Sequence, residues 1–211
     1  SSQARADPEL GPFLSVLRHS LSHKGWDEDF DCLLIMLLVE TFIRGDNSHW
    51  YPYLRLLPRP PELNSPLFFT QEEVEMLKGS DVLGAATRYR RAVLGGFEGK
   101  YRGLQVFGPG VITLERYLWA TAILDSRSIW WGGTRHLVPM LDLVNCGQGP
   151  LETRVHSTTT DFRGAAITHA AWAFKKGQQA RTLSQVLEDY GQPNHIYFLY
   201  HGFSLADNKH D

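Results

Sequence analysis

Residues 27–45 constrain this chain more than any other stretch. Asp27, Glu28, Asp29 and Asp31 crowd the first turns of a helical period, where negative charge is favourable against the helix dipole. Arg44 falls in the last turn and Gly45 follows as a stop. Between these ends Phe30, Leu33, Leu34, Leu37, Leu38 and Thr41 mark one face, and Cys32, Ile35, Met36, Val39, Phe42 and Ile43 cover most of the others. A helix that is apolar all round is a core helix and has to be enclosed by further elements. Its role, on sequence alone, is packing.

The neighbouring segments supply those elements. Leu10, Phe13, Leu14, Leu17 and Leu21 follow helical spacing, despite Pro12 near the start. Ser48 can cap a short aromatic element, HWYPYLRLLP, that Pro58 ends. PRPPELNSP reads as a loop. Thr70 and Glu73 form a capping box ahead of Val74 and Leu77, with Gly79 as the stop. A further helix starts at Asp81, runs through Arg88, Arg90 and Arg91 as a solvated face, and breaks at Gly95-Gly96. The glycine-rich run at 95–110 reads as a loop, and Thr113 caps the next helix, which carries Ser126-Arg127 near its end.

The pattern changes after residue 130. Residues 137–144 are apolar with Pro139 inside them, which predicts an edge or irregular strand, and Asn145-Cys146-Gly147 predicts a turn out of it. Residues 153–160 and 165–174 read as strands, as do residues 186–190. A helical first half and a β-rich second half make the chain α+β.

Composition narrows the function. The 211 residues carry 21 basic and 23 acidic side chains, a net charge of −2, so no basic field exists to drive binding to nucleic acid or to an anionic membrane. The run 32–39 is too short to span a bilayer, and SSQARADPEL has no apolar signal core. Two cysteines cannot build a disulfide framework, and no metal-ligand spacing occurs among the nine histidines. A soluble protein of a reducing compartment, cytoplasm or nucleus, without a bound metal is expected. A cysteine hydrolase built on Cys146 with His136 or His156 would need a nearby base and a lowered thiol pKa, and the sequence shows neither.

Residues 188–203, EDYGQPNHIYFLYHGF, read as a strand end, a sharp turn at Tyr190-Gly191, one or two helical turns after Pro193, and a stop at Gly202. Three pieces then stand in order: Ser126-Arg127, Asp142-Leu143-Val144-Asn145-Cys146, and Asp189-Tyr190-Gly191 with Asn194 and Gly202-Phe203. With the supporting stretches HWYPYLRLLP, NSPLFFTQEEVEML, LVPMLDLVN and GFSLADNKHD, this set resembles the SET-domain protein methyltransferases, in the branch of the Rubisco large-subunit lysine methyltransferase and the actin-histidine methyltransferase. The likeness runs from about residue 30 onward. It implies a β-rich SET fold with a pseudoknot and a large helical insertion. Residues 1–211 would form a single, incomplete SET-like domain, with 10–112 as the insertion and 113–211 as the catalytic second half.

The resemblance also implies chemistry. The cofactor would be S-adenosyl-L-methionine, and the partner a protein substrate carrying a target lysine or, with less support, histidine; oligomeric state is not legible. Tyr190 would be the catalytic tyrosine, orienting the nucleophile. Arg127 would meet the cofactor's carboxylate. Asp142, Leu143, Val144, Asn145 and Cys146 would hold its amino-acid and adenine parts, and Gly202-Phe203 would close over it. His201, where relatives often place tyrosine, would shape the substrate channel with Tyr190.

The chain departs from the family in four further ways besides His201. Cys146 stands where the family usually has histidine. The opening glycine-bearing strands that carry part of the cofactor site are not visible. Residues 180–185 look inserted, and the helical docking domain that often follows the SET region is absent. The missing opening strands and Cys146 support an alternative, a catalytically inactive SET-like binding module.

Overall fold

A computed structural model describes residues 6–104, 107–108, 110–131, 133–160, 166–174, 177, 185 and 187–211. Helix α1 (Leu10–Leu21) buries Leu10, Leu14, Leu17 and Leu21, the stripe its spacing predicts. Helix α2 (Glu28–Val39) is capped by the Asp27 carboxylate, which accepts from the amides of Asp29 and Phe30. Leu34 and Ile35, on different faces of α2, are both 0% exposed, so this helix is enclosed on all sides. Its α-helical part ends earlier than the sequence pattern suggests. Residues Glu40–Arg44 widen into a π-turn whose i→i+5 bond runs from Gly45 N–H to the Glu40 carbonyl. The Glu40 side chain explains the change, because it accepts from Ser48 Oγ at 2.6 Å and pairs with Arg44 at 2.7 Å.

Asp31 departs further from its expected role as one of several dipole-facing acids. It is 0% exposed and accepts from Asp27 N–H (2.7 Å), Lys100 Nζ (2.7 Å) and the Tyr101 hydroxyl. A carboxylate so buried survives only when fully partnered. Lys100 and Tyr101 come from the turn that follows helix α5, the fifth in chain order after the short α3 (Tyr51–Leu54) and α4 (Gln71–Glu75). Helix α5 (Val82–Gly96) does not break at its glycines; it continues as a π-turn over Phe97–Tyr101. Phe97 and Tyr101 are buried against Tyr117, ring centroids 5.4 and 5.2 Å away. That burial, with the Asp31 contacts, outweighs the helix cost of about 1 kcal/mol per glycine. Arg90 also leaves the expected solvated face. Its Nη1 donates to the carbonyls of Pro66 and Phe69 at 2.6 Å, closing the turn Pro66–Phe68. Arg88 and Arg91 stay exposed.

Helix α6 (Leu114–Arg127), capped by Thr113, packs on α2 and leads into the second half. Strands β1 (Ile129–Trp131) and β2 (Thr134–His136) form an antiparallel hairpin. Strand β3 (Asn145–Thr160) pairs antiparallel with β4 (Ala166–Phe174) and parallel with β5 (Leu187–Glu188), in the order β4-β3-β5. Mixed helix and strand make the chain α+β. Two local expectations are corrected. Residues 137–144 are not a strand: with Pro139 in the chain and Met140 at φ 74°, they turn at Leu141–Leu143. Asn145-Cys146 then opens β3 instead of turning away from a strand, Asn145 facing Leu187 and Cys146 facing Glu188. Of the strand expected over 186–190, residue 186 lies outside the described residues, and Leu187 and Glu188 are the described residues that pair. Of the inserted stretch 180–185, all but Gln185 lies outside the described residues. No helix among the described residues is long and apolar enough to cross a membrane.

The 188–203 stretch follows its reading closely: Gly191 has φ 72°, α7 (Asn194–Ile196) continues as a π-turn over Tyr197–His201, and Gly202 stops it at φ 75°. Gly202 also presses on the helical half. A Cβ there would lie 2.5 Å from the Asn64 carbonyl carbon, an impossible contact with backbone. Gly202→Ala is therefore expected to cost about 2 kcal/mol or more in urea unfolding. Gly99→Ala, where a Cβ meets nothing within 4 Å, should stay within about 0.5 kcal/mol of the parent.

Candidate functional site

A cleft of about 920 Å³ lies where α5, α6, the β1–β2 hairpin and the 188–201 segment meet; Arg127, Asp142, Glu188, Tyr190, Tyr200 and His201 are among its walls. Helix α6 brings Arg127 there as its last residue, after which Ser128 is extended. Arg127 Nη1 donates to the Asp142 carbonyl (3.1 Å) and pairs with Asp142 Oδ2 (3.2 Å). The Tyr53 hydroxyl, from the helical half, donates to the same Oδ2 at 2.6 Å. The Asp142 side chain is 1% exposed; both donors satisfy Oδ2, while Oδ1 has no hydrogen-bond partner among the described residues. Burial, then the Asp142 carboxylate, pushes the Tyr53 phenol well above its ordinary range, which keeps it a donor. Arg127 Nε and Nη2 make no hydrogen bond to a described residue.

Two residues past Asp142, the Val144 carbonyl accepts from the Tyr190 hydroxyl at 2.5 Å. Burial, then Cys146 and Glu188, pushes Tyr190 up to about 12. At neutral pH it is a phenol that donates, not a phenolate that removes protons. His201 packs beside it, ring centroids 5.5 Å apart. Burial and the nearby Arg127 cation hold His201 down at about 4, so its imidazole is neutral.

The structure thus brings Arg127, Asp142, Tyr190 and His201 to one cleft. Leu143 and Val144 are half-buried in the turn before β3, Asn145 is exposed at the start of β3, and Cys146 is half-buried. Cys146 approaches the Tyr197 hydroxyl, which burial and this thiol push upward. Phe203 stacks on Tyr197 at 5.1 Å, behind His201 and Tyr190. Gly202 is held against Asn64.

Sequence reasoning missed two groups. Tyr53 reaches Asp142 from 89 residues away, and no local pattern marks such a contact. The far wall of the cleft is a second polar cluster. Asp125 accepts from Tyr89 (2.9 Å) and Arg135 (2.9 Å), and the Arg135 guanidinium lies between the rings of Phe30 (5.2 Å) and Trp130 (5.0 Å). Arg135 on a short strand, with Trp130 five residues before it, was the available signal.

No family model matches the chain. Among curated proteins it is similar to the ribulose-1,5 bisphosphate carboxylase/oxygenase large subunit N-methyltransferase of Pisum sativum, 29% identical over 175 residues, covering 77% of this chain and 31% of that protein. The corresponding Nicotiana tabacum protein is 31% identical over 149 residues, covering 67% of this chain and 27% of its own length. The actin-histidine N-methyltransferase of Gallus gallus is 25% identical over 179 residues, 78% of this chain and 28% of that protein. The chain therefore spans under a third of the length of these relatives. Among solved structures, Rubisco LSMT bound to AdoMet matches with a TM-score of 0.65 at 20% identity, over 98% of this chain and 44% of that one. The SET domain of LSMT bound to lysine and AdoHcy matches at 0.64 and 23% identity, over 96% of this chain and 45% of that one. Sequence and backbone agree: the chain is similar to the Rubisco large-subunit methyltransferases and has the fold of the LSMT SET domain.

Proposed function

We propose that this chain carries the transfer site of an S-adenosylmethionine-dependent protein methyltransferase acting on a lysine side chain, in preference to histidine. The observation that carries the reading is the convergence of Arg127, Asp142 and Tyr190 on one cleft, with Tyr190 docked on the Val144 carbonyl. Relatives named as lysine and histidine methyltransferases support it. In this reading residues 10–112 correspond to the helical insertion and 113–211 to the second half of the SET domain. The parallel pairing of Cys146 with Glu188, just before Tyr190, supports a pseudoknot.

The residues present fit the cofactor. Arg127 has Nε and Nη2 without a partner among the described residues, a fork suited to a carboxylate. The cleft's volume is that of a small-molecule site. When bound, S-adenosylmethionine supplies an electrophilic methyl group on its sulfonium. Arg127 would bind its carboxylate, residues 142–146 its amino-acid and adenine parts, and Gly202-Phe203 would close behind it. The Tyr190 oxygen, its proton committed to Val144, would accept from the target amine and so aim the nitrogen lone pair. A phenol held at about 12 cannot take the target's proton. A lysine must therefore lose it on entering the dry cleft, where desolvation lowers its pKa. Neutral His201 beside Tyr190 adds no cationic charge to repel the target.

Calorimetric titration with S-adenosylhomocysteine, and radiolabel transfer from S-adenosylmethionine into a protein extract with amino-acid analysis of the product, test this reading. Binding is expected, weakened about tenfold or more in Arg127→Met, with label in methyl-lysine that falls about 100-fold in Tyr190→Phe. A folded chain that binds no cofactor would instead be an inactive SET-like binding module. His201 gives a separate pH test. Its folded pKa lies below the ordinary value of 6.5, so the stabilisation is complete above that value and lost as pH falls through about 4. Urea unfolding should show wild type losing on the order of 3 kcal/mol more than His201→Tyr between pH 7 and pH 4; parallel losses would mean that His201 is not held neutral.

A further inference from the structure

Tyr190 sits on a turn with little backbone support. Strand β5 ends at Glu188 and α7 begins at Asn194, leaving 189–193 outside any helix or strand. Residues 205–211 supply the support from the other side. The Asp189 carboxylate pairs with Lys209 Nζ, meets His210 Nε2 at 3.0 Å, and accepts from the Gly191 amide at 2.9 Å. The Gln192 carbonyl accepts from Asn208 Nδ2 at 2.9 Å. Asn194 exchanges two bonds with the Leu205 backbone, at 2.9 and 2.7 Å, and its N–H and Nδ2 donate to the Asp211 carboxylate at 2.6 Å each.

Three of these contacts fall on Asp189, the residue next to Tyr190. Bonds in which a partner is ionised are roughly twice as strong as neutral ones. The Asp189 side chain is only 10% exposed, so its charge is poorly screened by solvent. Burial pushes its carboxyl up, but Lys209, the Gly191 amide and His210 together hold it down at about 2. It stays charged, and its grip persists, throughout the neutral range. From the core side, the hydroxyl of Tyr190 is fixed by Val144. The turn is thus held at both ends of the tyrosine, by the strap at the backbone and by Val144 at the phenol.

We propose that residues 205–211 are a strap that keeps the Tyr190 hydroxyl in register with the cleft, and that Asp189 is the positioning residue through which the strap acts. This rests on Tyr190 being the residue that orients the target. Disrupting a segment that merely added stability would lower the unfolding free energy without a selective effect on the transfer step.

Hydrogen exchange and steady-state transfer, measured on the same full chain, test the proposal. In Asp189→Asn the amides of 190–194 should exchange about tenfold faster or more, while those of α2 remain as in wild type. For transfer, kcat should fall about tenfold with the KM for S-adenosylmethionine unchanged, and Asp189→Glu should recover part of it. Should Asp189→Asn fail to fold, Lys209→Met carries the test, because Lys209 is 56% exposed and its loss leaves the core intact; about threefold faster exchange at 190–194 is expected. Unchanged exchange at 190–194 overturns the strap, whatever the transfer rate. Faster exchange with unaltered kcat overturns the positioning role of Asp189. Faster exchange in a chain whose wild type transfers no methyl group supports the strap and removes the proposed function instead.

Discussion

The carboxylate of Asp142 joins the two halves of this protein. It is almost fully buried, and a buried carboxylate with a missing partner typically costs about 3–5 kcal/mol. Arg127 reaches it from the end of α6 and Tyr53 from the helical half, both converging on Oδ2. Because Asp142 is two residues before Val144, holding the carboxylate also holds the carbonyl on which Tyr190 docks. A chain of contacts thus runs from the helical layer to the turn that carries the proposed transfer residue.

The helical half has its own version of the same device. Helix α2 is enclosed because it is apolar on every face, yet its first turns carry Asp31, whose burial demands Lys100 and Tyr101. Those two residues lie beyond a pair of glycines that would otherwise end α5. The requirement to satisfy one buried charge therefore draws the chain past its local preference. Hydrophobic burial sets which elements meet, and the buried carboxylates of Asp31 and Asp142 set how they are aligned.

Much of this was legible in the sequence where local physics decides. The α1 stripe, the Thr113 cap, the Thr70–Glu73 box and the Gly191 and Gly202 turns all follow from spacing and capping chemistry within a few residues. The α+β class followed from the change of periodicity after residue 130. What could not be read depends on distant partners. Arg90 looks like surface charge until the carbonyls of Pro66 and Phe69 are placed beside it. Residues 137–144 look like a strand because apolar composition does not reveal the positive φ at Met140 that turns the chain at Leu141–Leu143. At the site, Arg127, Asp142 and Tyr190 were visible as an ordered set, whereas Tyr53 carries no signal until the fold brings it to Asp142, and the Asp125–Arg135 wall carries only the spacing of Trp130 and Arg135.

Tyr53 offers the most direct test of this coupling, because it meets Asp142 from the helical half and is not among the residues that line the cleft. S-adenosylhomocysteine should be titrated calorimetrically into wild type and Tyr53→Phe, with both confirmed folded. If the Asp142 junction aligns the site, the variant should bind about three- to tenfold more weakly, the loss of one hydrogen bond to a charged group. Equal affinity in the two proteins would contradict it, showing that Arg127 and the 142–146 segment hold their places without the helical half.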